Sequence, residues 1–225
     1  MNSMYQQLKQ LPLFQGMSTD ILRALVEKLP FHFLKFRGGE QIFAAGDPCT
    51  HIRFIVSGKV RLETACDNLR VSLFQTLSAP HVLAADYLFG RETVYPYSAV
   101  ADGSCGILQL RKGDYISMVS SDKVFLFNIL NYLSSGSQRG VSLMRRLNDG
   151  SVAERIAMVV DTLASPGATD VALHFKQKDL CALLGTQRTT LISTLDKLSA
   201  DGIIEYDSNE LRVQDLAGLS ALLSK

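Results

Sequence analysis

The sequence predicts an α+β protein built as a roll of short strands, a long helix, and a helix-turn-helix closed by a β-wing. Three observations carry this. Between about residues 31 and 118, β-branched and aromatic runs alternate with glycine-marked turns. From about residue 119, apolar and small residues recur at heptad spacing. In residues 176–204, two short amphipathic patterns meet at Gly185. The expected divisions are 1–118, 119–148 and 149–225.

The first thirty residues read as short helices. Ser18 can cap a turn in which Ile21, Leu22, Leu25, Val26 and Leu29 follow at helical spacing, and Pro30 stops the pattern. Strand candidates follow at 52–56, 60–63, 71–74 and 107–110. Turn signals lie between them at Gly38-Gly39, Gly46-Asp47-Pro48, Ser57-Gly58, Asp67-Asn68, Asp102-Gly103 and Lys112-Gly113-Asp114.

In the long helix Leu126, Leu133, Gly140 and Leu147 are spaced by seven, and Ile129, Gly136 and Leu143 repeat three positions on. This a/d seam, with small residues at its middle, is suited to pairing with a second copy of the chain. Asn148-Asp149-Gly150 breaks it and forms a candidate hinge. Ser151-Val152-Ala153-Glu154 has the capping-box pattern, so a new helix starts there with Ile156, Val159, Val160 and Leu163 inward. Ser165-Pro166-Gly167 ends it.

Leu180, Leu183 and Leu184 make the inner face of a short helix, and Leu191, Leu195 and Leu198 that of a second. The outward residues of the second are Gln187, Arg188, Thr189, Thr190, Ser193 and Lys197, preceded by Thr186, with Lys176 and Gln177 opening the first. These are the donors and acceptors that base edges and phosphates require, and arginine can pair bidentately with guanine. Ile203–Tyr206 and Glu210–Val213 flank Asp207-Ser208-Asn209 as a wing. Double-stranded DNA is the expected partner. Charge opposes this in part: residues 170–215 hold five basic and eight acidic side chains, a net of −3. The acids gather in the wing and at helix ends, while the recognition face itself carries Arg188 and Lys197.

The 225 residues are 47% hydrophobic and 20% charged, enough to bury a core, and the formal net charge is +1. No apolar run approaches the ~20 residues of a membrane span, and the first residues lack a signal-peptide pattern, so a soluble cytoplasmic protein is expected. Cys49, Cys66, Cys105 and Cys181 form no CxxC pair, and His32, His51, His81 and His174 are scattered. We therefore expect no metal, no cofactor and no catalytic residue. An enzyme on a cupin-like barrel would need clustered histidines and carboxylates.

The chain resembles the cyclic-AMP receptor protein and Fnr (Crp/Fnr) family of bacterial regulators over nearly its whole length. The resemblance rests on Gly39–Phe43 with Gly46-Asp47, on Phe54–Val60, and most specifically on Gly185–Leu191 with Leu195, Leu198 and Gly202-Ile203-Ile204. It implies a cyclic-nucleotide-binding-like β-roll (a double-stranded β-helix), a dimer through the long helix and a winged helix-turn-helix. It further implies a two-fold-symmetric promoter site, with RNA polymerase as a partner. The family's phosphate pocket has a Gly-Glu pair and an Arg-Ser pair; the matching stretches here are Ala84-Ala85 and Tyr97-Ser98. Without the glutamate and the arginine, cyclic AMP is not the expected effector. A pocket of Ala84, Ala85, Asp86, Tyr97 and Ser98, with Gly140 from the long helix, would take another small molecule or collapse onto Tyr97. The cluster cysteines of Fnr-like members are also missing from the first 48 residues. In the second helix the family's Arg-Glu-Thr is Arg188-Thr189-Thr190, and Ser193 replaces a further arginine, so the DNA site should differ.

Overall fold

The computed structural model describes residues 2–66, 71–146 and 150–224. Met1–Arg61 with Leu77–Ser137 form one compact unit, and Leu62–Thr76 with Gln138–Lys225 form a second.

The first unit opens with helices α1 (Asn2–Gln10) and α2 (Thr19–Lys28). Ser18 caps α2 as its position suggests, its side chain accepting the Ile21 N–H at 3.2 Å. Leu22 turns inward, while Ile21 stays exposed. The strands are β1 (His32–Phe36), β2 (Gln41–Phe43), β3 (His51–Cys66), β4 (Val71–Ser78), β5 (His81–Leu83) and β6 (Ser98–Arg111). In the roll β6 pairs antiparallel with β1 and β2, and β5 pairs with β3. Phe14, Phe54, Leu83, Leu110 and Phe125 fill its core. Gly58 has a φ of +77°, and a Cβ there would collide with the carbonyl of Ser104, so only glycine fits that corner.

The strand texture ends earlier than the sequence suggests. Lys112-Gly113-Asp114 is the first turn of α3 (Lys112–Ser121), not a loop. Arg111 is extended at its N-cap, Asp114 lies in the first turn where the helix dipole favours a carboxylate, and Tyr115 and Met118 are buried. The long helix α4 (Lys123–Arg146) begins after Asp122, whose carboxylate accepts the Phe125 N–H at 2.9 Å.

Along α4 the described residues of the expected seam differ in exposure. Ile129 is only 7% exposed and Phe125 is fully buried, whereas Leu126 is 38%, Leu130 49% and Phe127 65% exposed. The inward stripe follows the helical 3.6 period, so a strict heptad reading drifts across it. Leu133 is half-buried and Gly136 exposed. Gly140 and Leu143 lie in α4 with their surroundings outside the description, and Leu147 and the hinge residues 148–149 lie outside the described residues.

The second unit holds α5 (Val152–Leu163), β7 (Thr169–Phe175), α6 (Gln177–Leu184), α7 (Arg188–Ala200), β8 (Ile204–Tyr206), β9 (Glu210–Val213) and α8 (Leu216–Ala221). The capping box forms: Ser151 accepts the Glu154 N–H at 3.3 Å, and Glu154 accepts the Ser151 N–H at 2.8 Å. Residues 169–175, which carry no strand expectation from their pattern, form β7 between β4 and β9. Residues 62–76, from the β3–β4 segment, are grouped with this unit.

Candidate nucleic-acid interface

Gly185 makes the turn between α6 and α7. Its φ of +56° is left-handed, and the Thr186 N–H returns to the carbonyl of Cys181 at 3.0 Å, closing the end of α6. Arg155 of α5 holds the same turn from below, donating through Nη1 to the Leu184 carbonyl at 2.6 Å. No spacing rule marks Arg155 in the sequence, because its partner is a backbone oxygen 29 residues away.

On α7, Leu191, Leu195 and Leu198 are buried. Gln187, Arg188, Thr189, Thr190, Ser193 and Lys197 are all exposed. Thr186 and Gln177 are half-buried, and Lys176 is exposed at the start of α6. Gln177, Lys178, Cys181 and Arg188 line a shallow hollow where the two helices meet. Among the described residues neither Arg188 nor Lys197 has a carboxylate within ion-pair distance, so both cations face solvent unneutralised.

The wing is stapled differently. The Asp207 carboxylate accepts the Asn209 and Glu210 N–H groups at 2.7 and 2.8 Å, and these bonds hold it below the usual carboxylate range. Arg212 donates to Glu210 at 2.6 Å, and His174 stands 3.6 Å from the same carboxylate. Tyr206 of β8 donates to the carboxylate of Asp196 on α7 at 2.6 Å, tying the wing to the second helix and raising the phenol. Tyr206 was not a sequence candidate.

The residues of the roll's candidate pocket are hydrogen-bonded to one another and to their neighbours. Ala84 has a left-handed φ of +48°, and its N–H donates to the Tyr97 hydroxyl at 2.9 Å. Burial pushes that phenol far above its ordinary range. Ser98 accepts the Ala45 N–H at 3.0 Å, and Ala85 is buried. Burial raises the Cys49 thiol as well, and the nearby Asp86 carboxylate adds to the rise of both groups. Beside them Phe43 stacks on Tyr95 with ring centres 3.8 Å apart, and the Arg53 guanidinium lies 5.4 and 5.2 Å from the two ring centres. Arg53 also donates to the Tyr95 hydroxyl, and to Gln109 at 3.1 Å. Gly140 is remote in sequence from this group, and nothing about its surroundings is described. Among the described residues no group of three His, Cys, Asp or Glu side chains could hold a metal ion, and no helix is long and apolar enough to cross a membrane.

A polar, unneutralised helix face beside a β-wing, carried with a strand roll, defines a transcription regulator that reads DNA through a helix-turn-helix. Residues 33–122 match the cyclic nucleotide-binding domain, and residues 153–222 match the Crp-like helix-turn-helix domain. The chain belongs to the Crp/Fnr family of transcription regulators. It is similar to the cyclic AMP receptor protein of Thermus thermophilus, at 23% identity over 96% of this chain and 98% of the relative. The transcriptional regulator SdrP of the same organism is 23% identical over 84% of this chain and 93% of its own length. The solved c-di-GMP responsive global regulator CLP of Xanthomonas campestris shares the fold, with a TM-score of 0.50 and 20% identity, over 86% of this chain and 97% of that one.

Proposed function

We propose that the chain is a homodimeric, sequence-specific DNA-binding regulator whose roll answers to a small molecule other than cyclic AMP, or is active without one. The exposure of Gln187, Arg188, Thr189, Thr190, Ser193 and Lys197 on one side of α7, over buried leucines on the other, carries the reading. In a major groove Arg188 would pair with a base edge, and the threonines and Ser193 would meet phosphates or bases. Phosphate affinity here comes from a few free cations, not from a basic domain, so binding should depend on salt with a shallow slope. Work on a promoter beside RNA polymerase implies a cytoplasmic location, and we assign no catalytic residue.

The dimer reading is supported by an unpartnered apolar stripe on α4. Val124 (45% exposed), Leu126, Phe127 and Leu130 all face solvent. Pairing of two copies along α4 would cover it and present two reading helices to half-sites about 34 Å apart.

Cyclic AMP is disfavoured on two grounds. The positions corresponding to the family's glutamate and arginine are Ala85 and Tyr97, so a buried phosphodiester would lack its charged partner. The Ala84 N–H in that stretch is already satisfied by Tyr97.

Gel-shift titration of the full chain against duplexes it selects from a random pool tests the reading. Wild type should bind with salt-sensitive affinity, and Arg188→Ala should weaken it while light scattering still gives a dimer. Phe127→Ser should shift the mass toward a monomer. A wild-type chain that binds no duplex at any salt concentration overturns the DNA reading.

A further inference from the structure

The strand β4 is part of the DNA-reading unit, and one of its side chains has an unusual place there. Gln75 is 1% exposed, one of few buried polar side chains, and both ends of its amide are engaged. Nε2 donates to the carbonyl of Leu163 at 3.1 Å, and Oε1 accepts the N–H of Ser165 at 2.7 Å. Leu163 is the last residue of α5, so its carbonyl has no helical partner of its own. Gln75 thus caps α5 from a strand 88 residues earlier in the chain.

The ladder explains how it gets there. β4 runs antiparallel to β7 with Val71 opposite Phe175, Ser72 opposite His174, Leu73 opposite Leu173 and Phe74 opposite Ala172, then slips before Thr76 meets Thr169. Between those two pairs β4 advances by two residues and β7 by three, so the extra residue lies on β7, where Asp170 has a φ of +50°, and Gln75 stands opposite this bulge. Thr169 adds a bond from its hydroxyl to the Thr76 carbonyl at 3.4 Å, and Phe74 packs on the His174 ring at 4.5 Å. On its other edge β7 pairs with β9, and β9 with β8, whose Tyr206 holds Asp196 on α7. Without β4, β7 would be an edge strand with an open row of backbone groups.

We infer that Gln75 is a positioning residue for DNA reading: by clamping β4, the neighbour of β7, onto the end of α5, it fixes the frame in which the wing and α7 are held. This rests on the DNA reading proposed above. A reader whose frame is only fractionally in place binds with an affinity lowered by that fraction. The effect of Gln75 therefore runs through the Tyr206–Asp196 tie at the other end of the sheet.

The test is affinity of the full chain, by fluorescence anisotropy, for a duplex selected by the wild type, at a temperature where circular dichroism shows every variant folded. Gln75→Ala leaves both helix-end groups unpaired and should weaken binding roughly tenfold. Gln75→Glu keeps the acceptor for the Ser165 N–H but sets a buried carboxylate against the Leu163 carbonyl, so it should recover none of that loss. Tyr206→Phe alone should cost about threefold, and the double variant Gln75→Ala/Tyr206→Phe should bind within about twofold of Gln75→Ala, because the two act on one frame. Folded Gln75→Ala binding within about twofold of wild type, or a double variant showing the full product of the single losses, overturns the inference. Should Gln75→Ala fail to fold, Phe74→Ser takes its place: it removes only the ring contact with His174, and an unchanged affinity there is equally fatal. Arg188→Ala on the same duplex separates the two readings, since loss there with none at Gln75 sinks only the positioning role.

Discussion

The interior of the roll and the outer face of α7 treat polar side chains in opposite ways. In the roll, Tyr97 holds the Ala84 N–H, Ser98 holds the Ala45 N–H, and Arg53 is divided between Tyr95 and Gln109. On α7, Arg188 and Lys197 face water with no ion-pair partner among the described residues. Groups already satisfied inside a fold hold that fold together; groups left unsatisfied at a surface are free to meet another molecule. The difference separates stability from recognition within one chain.

Substitutions at the two places should therefore move different measurements. Arg188→Ala carries the largest expected effect, a loss of about 10- to 100-fold in duplex affinity, with the unfolding free energy changed by less than about 0.5 kcal/mol. Tyr97→Phe should do the reverse, costing about 1–3 kcal/mol in urea unfolding by leaving the Ala84 N–H without its acceptor. Its DNA affinity, measured well below the unfolding midpoint, should stay at the wild-type value. A Tyr97→Phe chain that binds DNA differently would break the comparison, and would mean that the roll's interior acts on the reader.

The smallest expected effect sharpens the same contrast. Burial lowers His81 from 6.5 to about 4, so it stays neutral in the folded chain while the unfolded chain takes up a proton. That stability is fully present above pH 6.5 and is lost as pH falls toward 4. Urea midpoints should decline over that window in wild type and decline less in His81→Gln. DNA affinity of the folded chain should not follow His81.

Much of this was legible in the sequence because its signals are local. The capping box at Ser151, the αL glycine at 185 and the leucine spacing of α7 are each set by residues a few positions apart. The wing turn at Asp207-Ser208-Asn209 is equally local, and it forms with Asp207 as its staple. What was missed depends on distant partners. Gln75 and Arg155 look like ordinary polar residues until Leu163 and Leu184 arrive from elsewhere in the chain. β7 was missed because its burial, with Val171, Ala172, Leu173 and Phe175 inward, has no clean alternation, the pattern of a strand covered on both sides. The heptad pattern of α4 also does not separate Ile129, which is buried within the chain, from Leu126, which is exposed.

The join of β4 to β7 has a practical consequence for protein engineering. Family members are tempting sources of interchangeable reading heads, cut at the break after the long helix and grafted onto foreign sensors. Here such a graft would strip β7 of one neighbour and α5 of its cap, exposing a sticky strand edge in a fragment prone to self-association. A transplantable head would have to bring residues 62–76 along.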